Sequence, residues 1–357
     1  MNRILIIFVI VLFLLGSFLY FAVARQSPLE TSKPKNGPAT QEIIAQNLEI
    51  PWELAILPSG DILFTERPGR IRIVKDGKLR ETPVLTINEV AHVGEGGLLG
   101  LALHPNFSSN NYIYVYYTYR SSDGLMNKVV RHKLEDSTLK EDKIIIDNIP
   151  GGSNHDGGRV KFGPDNKLYI TTGDAGQTSL SQDKNSLAGK ILRLNDDGSI
   201  PNDNPFGSPV YSYGHRNPEG LAWDSNGQLW ATEHGSQAFD EVNRIESGKN
   251  YGWPEIRGDQ EKEGMEKPII HSGNSTWAPS GMTIVDNQIY FTGLRGAAIF
   301  KLNPDTKELM RYFEGEFGRL RTISFIDNIF FVLTSNRDGR GIPKQNDDRI
   351  VKVGLIN

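Results

Sequence analysis

A short unit recurs six times along the chain and limits the folds that are open to it. Each copy is a turn of Pro, Asp, Asn or Gly residues, followed by a short strand of alternating apolar or aromatic residues. The copies are marked by turn residues that lie 41 to 61 residues apart: Gly60, Asn111, Asn166, Gly227, Asn287 and Asn328. Six units at this spacing predict an all-β fold, a six-bladed β-propeller.

Other architectures fit the pattern less well. No segment after residue 46 keeps apolar residues at a helical period for long, and Gly or Pro interrupts most windows. A doubly wound α/β fold needs helices between its strands, so the sequence argues against it. An irregular all-β sandwich remains the alternative.

Composition excludes several classes of function. The formal net charge of -4 provides no basic field for a nucleic acid, so we expect no nucleic-acid partner. The chain has no cysteine, which excludes disulfides, thiolate zinc sites, iron–sulfur clusters and cysteine nucleophiles.

The amino terminus carries an uncharged, almost wholly apolar stretch from Ile4 to Ala24, between Arg3 and Arg25. It is long enough to cross a bilayer of about 30 Å as a helix, which predicts a membrane anchor over residues 1–25. A cleaved signal peptide ending at the small-x-small pattern of residues 22–24 is the alternative. Both predict an extracytoplasmic protein, with the membrane as a partner if the segment is uncleaved.

Three regions follow from these patterns. Residues 26–46 are rich in Pro, Ser, Thr, Lys and Gly and show no periodic apolar face, which predicts a flexible linker. The propeller is then expected over residues 47–357. In a propeller, loops at one end form a funnel for ligands, so polar residues in Gly-rich loops are the candidate site residues.

Two of these loops lie in the first half of the chain. The loop of residues 94–100 presents Glu95 among glycines, either to a ligand or as part of a structural turn. The loop of residues 154–159 contains His155 among polar and flexible residues. A histidine there can accept a proton near pH 7, as the oxidation of an alcohol requires.

Later loops add cations and oxygen ligands. Arg216 offers a permanent cation, and Asn217 beside it can donate and accept. Carboxylates and loop carbonyls in residues 233–241 and 250–254 suit a hard cation such as calcium. Arg295 and the Arg319-x-Arg321 pair can bind carboxylates, although an exposed, solubilising role is equally open for the pair.

These loops, in this order, resemble the family of soluble glucose dehydrogenases and aldose sugar dehydrogenases that depend on pyrroloquinoline quinone (PQQ). The resemblance runs from about Leu48 to Val353. It is carried by residues 50–52, 94–100 with 104–107, 154–159, 214–218, 250–254 and 319–321.

The resemblance implies a quinoprotein that oxidises aldose sugars to lactones at the anomeric carbon. His155 corresponds to the family's general base, which removes the proton of the anomeric hydroxyl as hydride passes to PQQ. Arg216 corresponds to the residue that polarises the quinone carbonyl. Asn217 would bond the quinone edge.

The same resemblance implies the cofactor ligands. Arg295, Arg319 and Arg321 would bind the three PQQ carboxylates, and Glu95 would lie at the cofactor, where relatives often carry Gln. The carbonyls of Gly235 and Ser236 would hold the calcium that bridges PQQ to protein. Two further residues, Glu241 and Tyr251, resemble a second, structural calcium site.

The insertion loops that shape the sugar pocket in glucose-specific relatives look short here, so we expect a broad range of aldoses and an external electron acceptor. Two alternatives stay open. One is a non-catalytic carbohydrate-binding or receptor propeller, similar to hedgehog-interacting proteins. The other is a calcium-dependent lactone hydrolase, which would need carboxylates converging on an axial metal.

Overall fold

The regular structure is almost entirely β. The structure is a computed structural model and describes residues 41–135 and 138–354. Within those residues the strands form six sheets, each with four or five strands. They are accompanied by one helical turn, α1 (Phe107–Asn110), and one 3₁₀ turn (Thr178–Ser181). The predicted all-β, six-bladed propeller is confirmed.

The strands follow one another in chain order, and their bounds in the first half are β1 Gln41–Ala45, β2 Pro51–Ile56, β3 Ile62–Glu66, β4 Arg70–Lys75, β5 Lys78–Leu79, β6 Leu85–Thr86, β7 Leu98–Leu103, β8 Tyr112–Ser121, β9 Gly124–Glu135, β10 Thr138–Pro150, β11 Val160–Phe162, β12 Leu168–Thr172, β13 Lys190–Leu194 and β14 Val210–Tyr213. Those of the second half are β15 Pro218–Trp223, β16 Leu229–Glu233, β17 Glu241–Ile245, β18 Ile270–His271, β19 Pro279–Val285, β20 Gln288–Gly293, β21 Ile299–Leu302, β22 Leu309–Tyr312, β23 Leu320–Ile326, β24 Ile329–Thr334 and β25 Ile350–Val353.

Blade 1 is β2–β6, blade 2 is β7–β10, blade 3 is β11–β14, blade 4 is β15–β18, blade 5 is β19–β22, and blade 6 is β23–β25 with β1. Each of the six repeated turn–strand units is the second strand of a blade.

The two ends of the chain meet in blade 6. Strand β1 pairs antiparallel with β25, so that Gln41 lies opposite Val353 and Glu42 opposite Lys352. The propeller therefore includes residues 41–45, which precede the predicted start at residue 47. The predicted start lies later because β1 is an exposed outer strand in which only Ala45 is buried, and it therefore carries no clear apolar alternation.

Period-2 alternation explains the core. Six apolar clusters occur, one between each pair of adjacent blades. In β8, Tyr114 and Tyr116 pack toward blade 3, while Ile113 and Val115 pack toward blade 1. Because successive side chains point to opposite faces of a strand, one alternating strand supplies two interfaces. Both faces of the inner strands are buried in this way.

A threonine near the end of the second strand recurs in every blade, at positions 65, 118, 171–172, 232, 292 and 334. Several of these hydroxyls cross to the next blade. Thr65 Oγ1 donates to the Leu99 carbonyl at 2.6 Å, and Thr232 Oγ1 donates to the Ser280 carbonyl at 2.7 Å. The turn–strand repeat thus carries its own link to the neighbouring blade.

Arg159 lies buried beside the innermost strands. Its Nη1 donates to Glu53 in blade 1 and, at 2.9 Å, to Thr322 Oγ1 in blade 6. Its Nε donates to the Glu219 carbonyl in blade 4 at 2.7 Å. The guanidinium also lies 4.1 Å from the ring centre of Trp52. One side chain therefore joins strands from several blades.

Blade connectivity brings the candidate loops to one end. The blades share one antiparallel order, so all loops that enter a first strand, and all turns that follow a second strand, emerge at the same end. Glu95, His155 and Arg319 lie in loops of the first kind. Arg295 and the Gly235–Ser236 loop belong to the second kind.

The predicted apolar segment of residues 1–25, and the predicted linker up to residue 40, lie outside the described residues. Among the residues that are described, no helix has the length and apolar character needed to span a membrane.

The buried Arg159–Glu53 pair generates a stability prediction. Replacing Glu53 with Ala leaves a buried guanidinium without its carboxylate, so we expect the free energy of unfolding to fall by about 3–5 kcal/mol. Denaturant unfolding followed by tryptophan fluorescence measures this. As a control, Glu255→Ala removes one partner of the exposed pair with Lys262 and should cost at most about 1 kcal/mol. Equal losses in the two variants would contradict the role given to Arg159.

Candidate active site

The polar side chains at the loop end of the axis form one connected arrangement, here called the cup. It consists of Arg67, Glu95, His155, Asp174, Arg216, Asn217, Glu219, His234, Arg319, Arg321, Asp338 and Arg340, and the exposed Arg295 lies in a turn at the same end of the propeller. Sequence reasoning identified Glu95, His155, Arg216, Asn217, Arg295, Arg319 and Arg321. It missed the others.

His155 is held by its backbone and its ring. Its backbone N–H donates to Glu95 Oε2 at 2.8 Å, and its Nδ1 lies 2.6 Å from Asp174 Oδ1. Because an ionised carboxylate only accepts, Nδ1 carries the hydrogen and Nε2 is left to take up a proton. The side chain is 14% exposed, so the ring is reachable from the cup.

Asp174 fixes the orientation of that ring. Its carboxylate also accepts the indole N–H of Trp253 and the backbone N–H of Gly176, both at 2.8 Å. Burial acts to raise the pKa of Asp174, but these hydrogen bonds and the one from His155 outweigh it and hold the pKa below its usual value. The sequence signal that could have identified Asp174 is an acid in the Gly-Asp-Ala-Gly turn that follows the second strand of blade 3.

Arg216 lies on the other side of Asp174. Its carbonyl accepts the Asp174 N–H at 2.8 Å, and its Nη1 donates to the His234 carbonyl at 3.2 Å. The guanidinium lies 5.4 Å from the Trp253 ring centre. Burial lowers its pKa, yet arginine remains a cation at neutral pH. Its buried Nε has no hydrogen-bond partner among the described residues.

Asn217 is buried beside Arg216, and its amide oxygen is already used. Oδ1 accepts the Gly157 N–H at 2.9 Å, while the Asn217 carbonyl accepts the His234 N–H at 3.1 Å. The side-chain amide nitrogen is therefore the group left for another partner.

Both members of the Arg-x-Arg pair face acids. Arg319 Nη2 and Nε donate to Asp338 Oδ2 at 2.6 and 2.9 Å. Arg321 Nη1 donates to Glu219 Oε2 at 2.6 Å, and the Arg321 Nε has no partner among the described residues. Arg295 is exposed, in the turn after the second strand of blade 5. Next to it, the Leu294 carbonyl accepts from Arg319 at 3.3 Å.

Glu95 ties the two sides of the cup together. One carboxylate oxygen accepts the His155 N–H, and the other accepts from Arg340, which follows the second strand of blade 6. Burial raises the pKa of Glu95, but the His155 N–H and nearby cations outweigh this and lower it to about 2. Glu95 therefore stays ionised.

Arg67 is a further buried cation that sequence reasoning missed. Its Nη2 donates to the Gly96 carbonyl at 2.9 Å, below the Glu95 loop. Burial, with the nearby charge of Arg321, lowers the pKa of Arg67 to about 10. Nothing local marks it, since it lies in an ordinary Arg-Pro-Gly turn.

The predicted loop for a calcium ion, Gly235–Ser236, is held by a buried acid. Asp240 Oδ1 accepts the Gly235 N–H at 2.9 Å, while Asp240 Oδ2 accepts the backbone N–H groups of Trp277 and Ala278 at 2.6 and 2.8 Å. A Cβ at position 235 would lie 2.1 Å from the Ala238 carbonyl, so only glycine fits there. Asp240 thus sets the loop's conformation.

Glu241 and Tyr251 belong to a separate buried cluster under the cup. Glu241 accepts from the Gly258 N–H at 3.1 Å and from Asn243 Nδ2 at 3.2 Å. Burial, followed by the charge of Glu233, raises its pKa to about 8. Within residues 41–135 and 138–354 no cluster of three or more His, Cys, Asp or Glu side chains could hold a metal.

The cup retains buried donors that have no protein partner. Among the described residues these include the Nε atoms of Arg67, Arg216 and Arg321, together with His234 Nε2. His234 Nε2 lies 3.5 Å from Glu219 Oε1, too far for a good hydrogen bond. Unsatisfied cationic donors on several arginines of the cup fit an anionic ligand with several oxygens, such as a tri-acid quinone.

Comparison with known proteins agrees with this chemistry. A sequence model of the glucose/sorbosone dehydrogenase family matches residues 48–344. The PQQ-bound form of an aldose sugar dehydrogenase from Streptomyces coelicolor superposes with a TM-score of 0.83 at 39% identity, covering 89% of this chain and 99% of that one. Quinoprotein glucose dehydrogenase B of Acinetobacter calcoaceticus is 34% identical over 279 residues, which are 68% of this chain and 58% of that protein. The Escherichia coli aldose sugar dehydrogenase is 37% identical over 61% of this chain and 63% of its own length.

Asp156, next to His155, is a buried acid with half of its carboxylate unsatisfied. Oδ1 accepts from Asn127 Nδ2 at 3.1 Å and from the Gly152 N–H at 3.0 Å. Oδ2 has no partner among the described residues. Burial accordingly raises the pKa of Asp156 to about 6.

This generates a pH-dependence prediction for Asp156→Asn. A carboxyl whose pKa is raised by folding favours the protonated form, so its contribution to stability falls as pH rises from the unfolded pKa of 3.8 to about 6. Asn resembles the protonated acid. We expect the free energy of unfolding of the variant, relative to that of the wild type, to rise by about 2–3 kcal/mol between pH 4 and pH 7. This size follows from about 1.4 kcal/mol per unit of pKa shift.

Denaturant unfolding of both proteins across this pH range measures the difference. Asp123→Asn, at the exposed tip of the β8–β9 hairpin, is the matched control and should leave the wild-type pH dependence unchanged. A difference between Asp156→Asn and the wild type that does not vary with pH would contradict the raised pKa.

Proposed function

The chain belongs to the glucose/sorbosone dehydrogenase family and is an oxidoreductase of the PQQ-dependent aldose dehydrogenase class, and we propose that it oxidises aldose sugars at the anomeric carbon to lactones. His155 is the proposed base and Arg216 the proposed electrophilic partner.

One observation carries this proposal. The imidazole of His155 and the backbone of Arg216 are joined through the same residue, Asp174, which bonds the ring at 2.6 Å and the Arg216 carbonyl at 2.8 Å. This link keeps His155 and Arg216 next to each other, and it supports the proposal that they supply the proton acceptor and the fixed cation that alcohol oxidation by hydride removal needs. A carbohydrate-binding module has no need of a histidine activated in this way.

The proton step belongs to His155 and Asp174. Nε2 of His155 takes the proton of the anomeric hydroxyl, since Nδ1–H is committed to Asp174. Asp174 holds the ring in that tautomer and stabilises the imidazolium that forms. Its lowered pKa keeps it ionised through the cycle.

Arg216 and Asn217 act on the cofactor side. When bound, PQQ supplies a quinone that accepts hydride from the sugar. The free Nε of Arg216 is a permanent donor for the negative charge that then develops. The Asn217 amide nitrogen would hydrogen-bond the quinone edge.

The remaining cations would hold the cofactor carboxylates. Arg319 and Arg321 lie in adjacent ion pairs, and the exposed Arg295 lies beside them. Glu95 would act at the cofactor edge, through the His155 loop.

Calcium has two proposed positions. Carbonyl oxygens of Gly235 and Ser236 would bind the ion that bridges PQQ to the protein. Glu241 and the Tyr251 carbonyl would bind a structural ion below the cup.

The substrate range, the acceptor and the location complete the proposal. Short loops favour a broad set of aldoses, with electrons passing to an external acceptor. The apolar segment of residues 4–24 would place the domain outside the cytoplasm, anchored or released. Fractionation of cells after expression of the full chain tests the location.

Loss of the base is the first test of the reaction. We expect His155→Ala to lower kcat by about 10²–10⁴-fold, the usual contribution of a general base. PQQ affinity should change little, because the cationic donors are untouched. The measurement is dye reduction by the purified protein with PQQ and calcium over a panel of aldoses, alongside a PQQ titration.

His104→Ala is the control, since His104 directly follows β7 at the opposite end of the blade, where it accepts the Asn106 N–H. It should retain wild-type kcat. Absence of PQQ-dependent dye reduction by the wild-type protein on every aldose would refute the proposed function.

Substitution of Arg319 tests the proposal that its guanidinium binds the cofactor. Arg319→Gln should weaken PQQ binding by about 10- to 100-fold, since a hydrogen bond to a charged group contributes about 1.5–3 kcal/mol. Fluorescence titration of the apo-protein with PQQ measures this. Asp338→Asn keeps the guanidinium but loses its ion pair, and should retain most of the affinity. An equal loss in both variants would mean that Arg319 acts only by holding the blade 6 loop.

A further inference from the structure

Three buried side chains below the cup are aligned like the triad of a hydrolase. Ser212 Oγ lies 2.9 Å from His215 Nε2, and His215 Nδ1 lies 2.8 Å from Glu233 Oε2. The proton and hydride steps proposed above use none of them.

Nucleophilic chemistry is excluded by access. Ser212 and His215 are both 0% exposed, and the His215 ring stacks on Tyr251 with centroids 4.7 Å apart. A nucleophile must be reachable by a carbonyl in order to react. The arrangement therefore needs another explanation.

The second carboxylate oxygen of Glu233 indicates what the three side chains do. Oε1 accepts the backbone N–H of Arg216, while Oε2 accepts from the His215 ring. The Arg216 carbonyl is bonded in turn by the Asp174 N–H at 2.8 Å. The backbone of Arg216 is thus held on both sides, by Glu233 at its N–H and by Asp174 at its carbonyl.

We propose that Ser212, His215 and Glu233 form a positioning relay that sets the orientation of Arg216 in the cup. The inference rests on the proposed function, since the role of Arg216 comes from it. An ionised Glu233 accepts only, so His215 must carry its hydrogen on Nδ1, and Ser212 then donates to Nε2. The serine fixes the tautomer, the ring orients the carboxylate, and the carboxylate fixes the Arg216 backbone.

The packing around the relay explains why it is rigid. Gly214, between the serine and the histidine, has φ +75, and a Cβ there would lie 2.1 Å from Asn250 Oδ1. The turn that carries His215 and Arg216 therefore admits only glycine at this position. Rotation of the imidazole is blocked by Tyr251 on one face.

Two substitutions of His215 separate the effect of losing the Nδ1–H donor from the effect of changing the shape of the side chain. His215→Phe keeps a ring against Tyr251 but removes Nδ1–H, while His215→Asn places an amide donor near the position of Nδ1. We expect the Phe variant to lose about 10- to 100-fold in kcat, with the sugar KM and the PQQ dissociation constant within about 3-fold of wild type. The Asn variant should recover most of that loss.

A matched control is His132→Phe, which makes the same change at another buried histidine, on β9 away from the cup. It should keep wild-type kcat. Equal kcat for His215→Phe and wild type, or no recovery by the Asn variant, would overturn the relay.

A second readout needs no turnover. Imidazole ¹⁵N shifts of the full-length apo-protein should show His215 with a hydrogen on Nδ1, and Ser212→Ala should change the Nε2 shift. A His215 without a hydrogen on Nδ1 would overturn the inference, and this measurement decides if the Phe variant does not fold. If the wild type reduces no dye with PQQ, the proposed function fails while the tautomer result still tests the relay.

Discussion

The geometry of the whole propeller depends on the buried guanidinium of Arg159. It is 1% exposed and reaches Glu53, Thr322 and the Glu219 carbonyl, which lie in blades 1, 6 and 4. Arg159 itself directly precedes the first strand of blade 3. A buried charge is tolerated only with good partners, so the spacing of these strands must satisfy its hydrogen bonds. Glu219 connects Arg159 to the cup, because its carbonyl accepts from Arg159 and its carboxylate accepts from Arg321 at 2.6 Å.

The blades could be predicted because their signal is local. A short run of apolar and aromatic residues next to a turn indicates a strand that is buried on both faces, and a propeller repeats this six times. Strand β1 could not be found in the same way, since its partner is Val353 at the other end of the chain and its side chains are mostly exposed. Closure of the ring is a long-range pairing, and such pairings leave little trace in a short segment.

The site was predictable only in part, for a related reason. His155, Arg216 and the Arg-x-Arg pair stood out because their residue types are unusual in Gly-rich loops. Asp174 and Glu219 did not, since an acid acquires its role through the partner it meets, and those partners, His155 and Arg321, lie 19 and 102 residues away along the chain. The sequence thus indicated the residues to which the proposed function assigns the chemistry, but not the acids that orient them.

Those acids also explain why the cup suits an anion. Asp174 is committed to the His155 ring, and Glu219 bonds Nη1 of Arg321, so neither carboxylate reaches the Nε donors that remain. The Nε atoms of Arg67, Arg216 and Arg321 are buried with no partner in the part of the chain that the structure describes, and each unsatisfied group costs about 1–3 kcal/mol. A ligand with several carboxylate and carbonyl oxygens would recover this cost by accepting from these nitrogens, which its binding must first uncover because they are buried. A neutral sugar brings no charge to these cations, so under the proposed function the arginine side chains of the cup suit an anionic cofactor better than they suit the sugar.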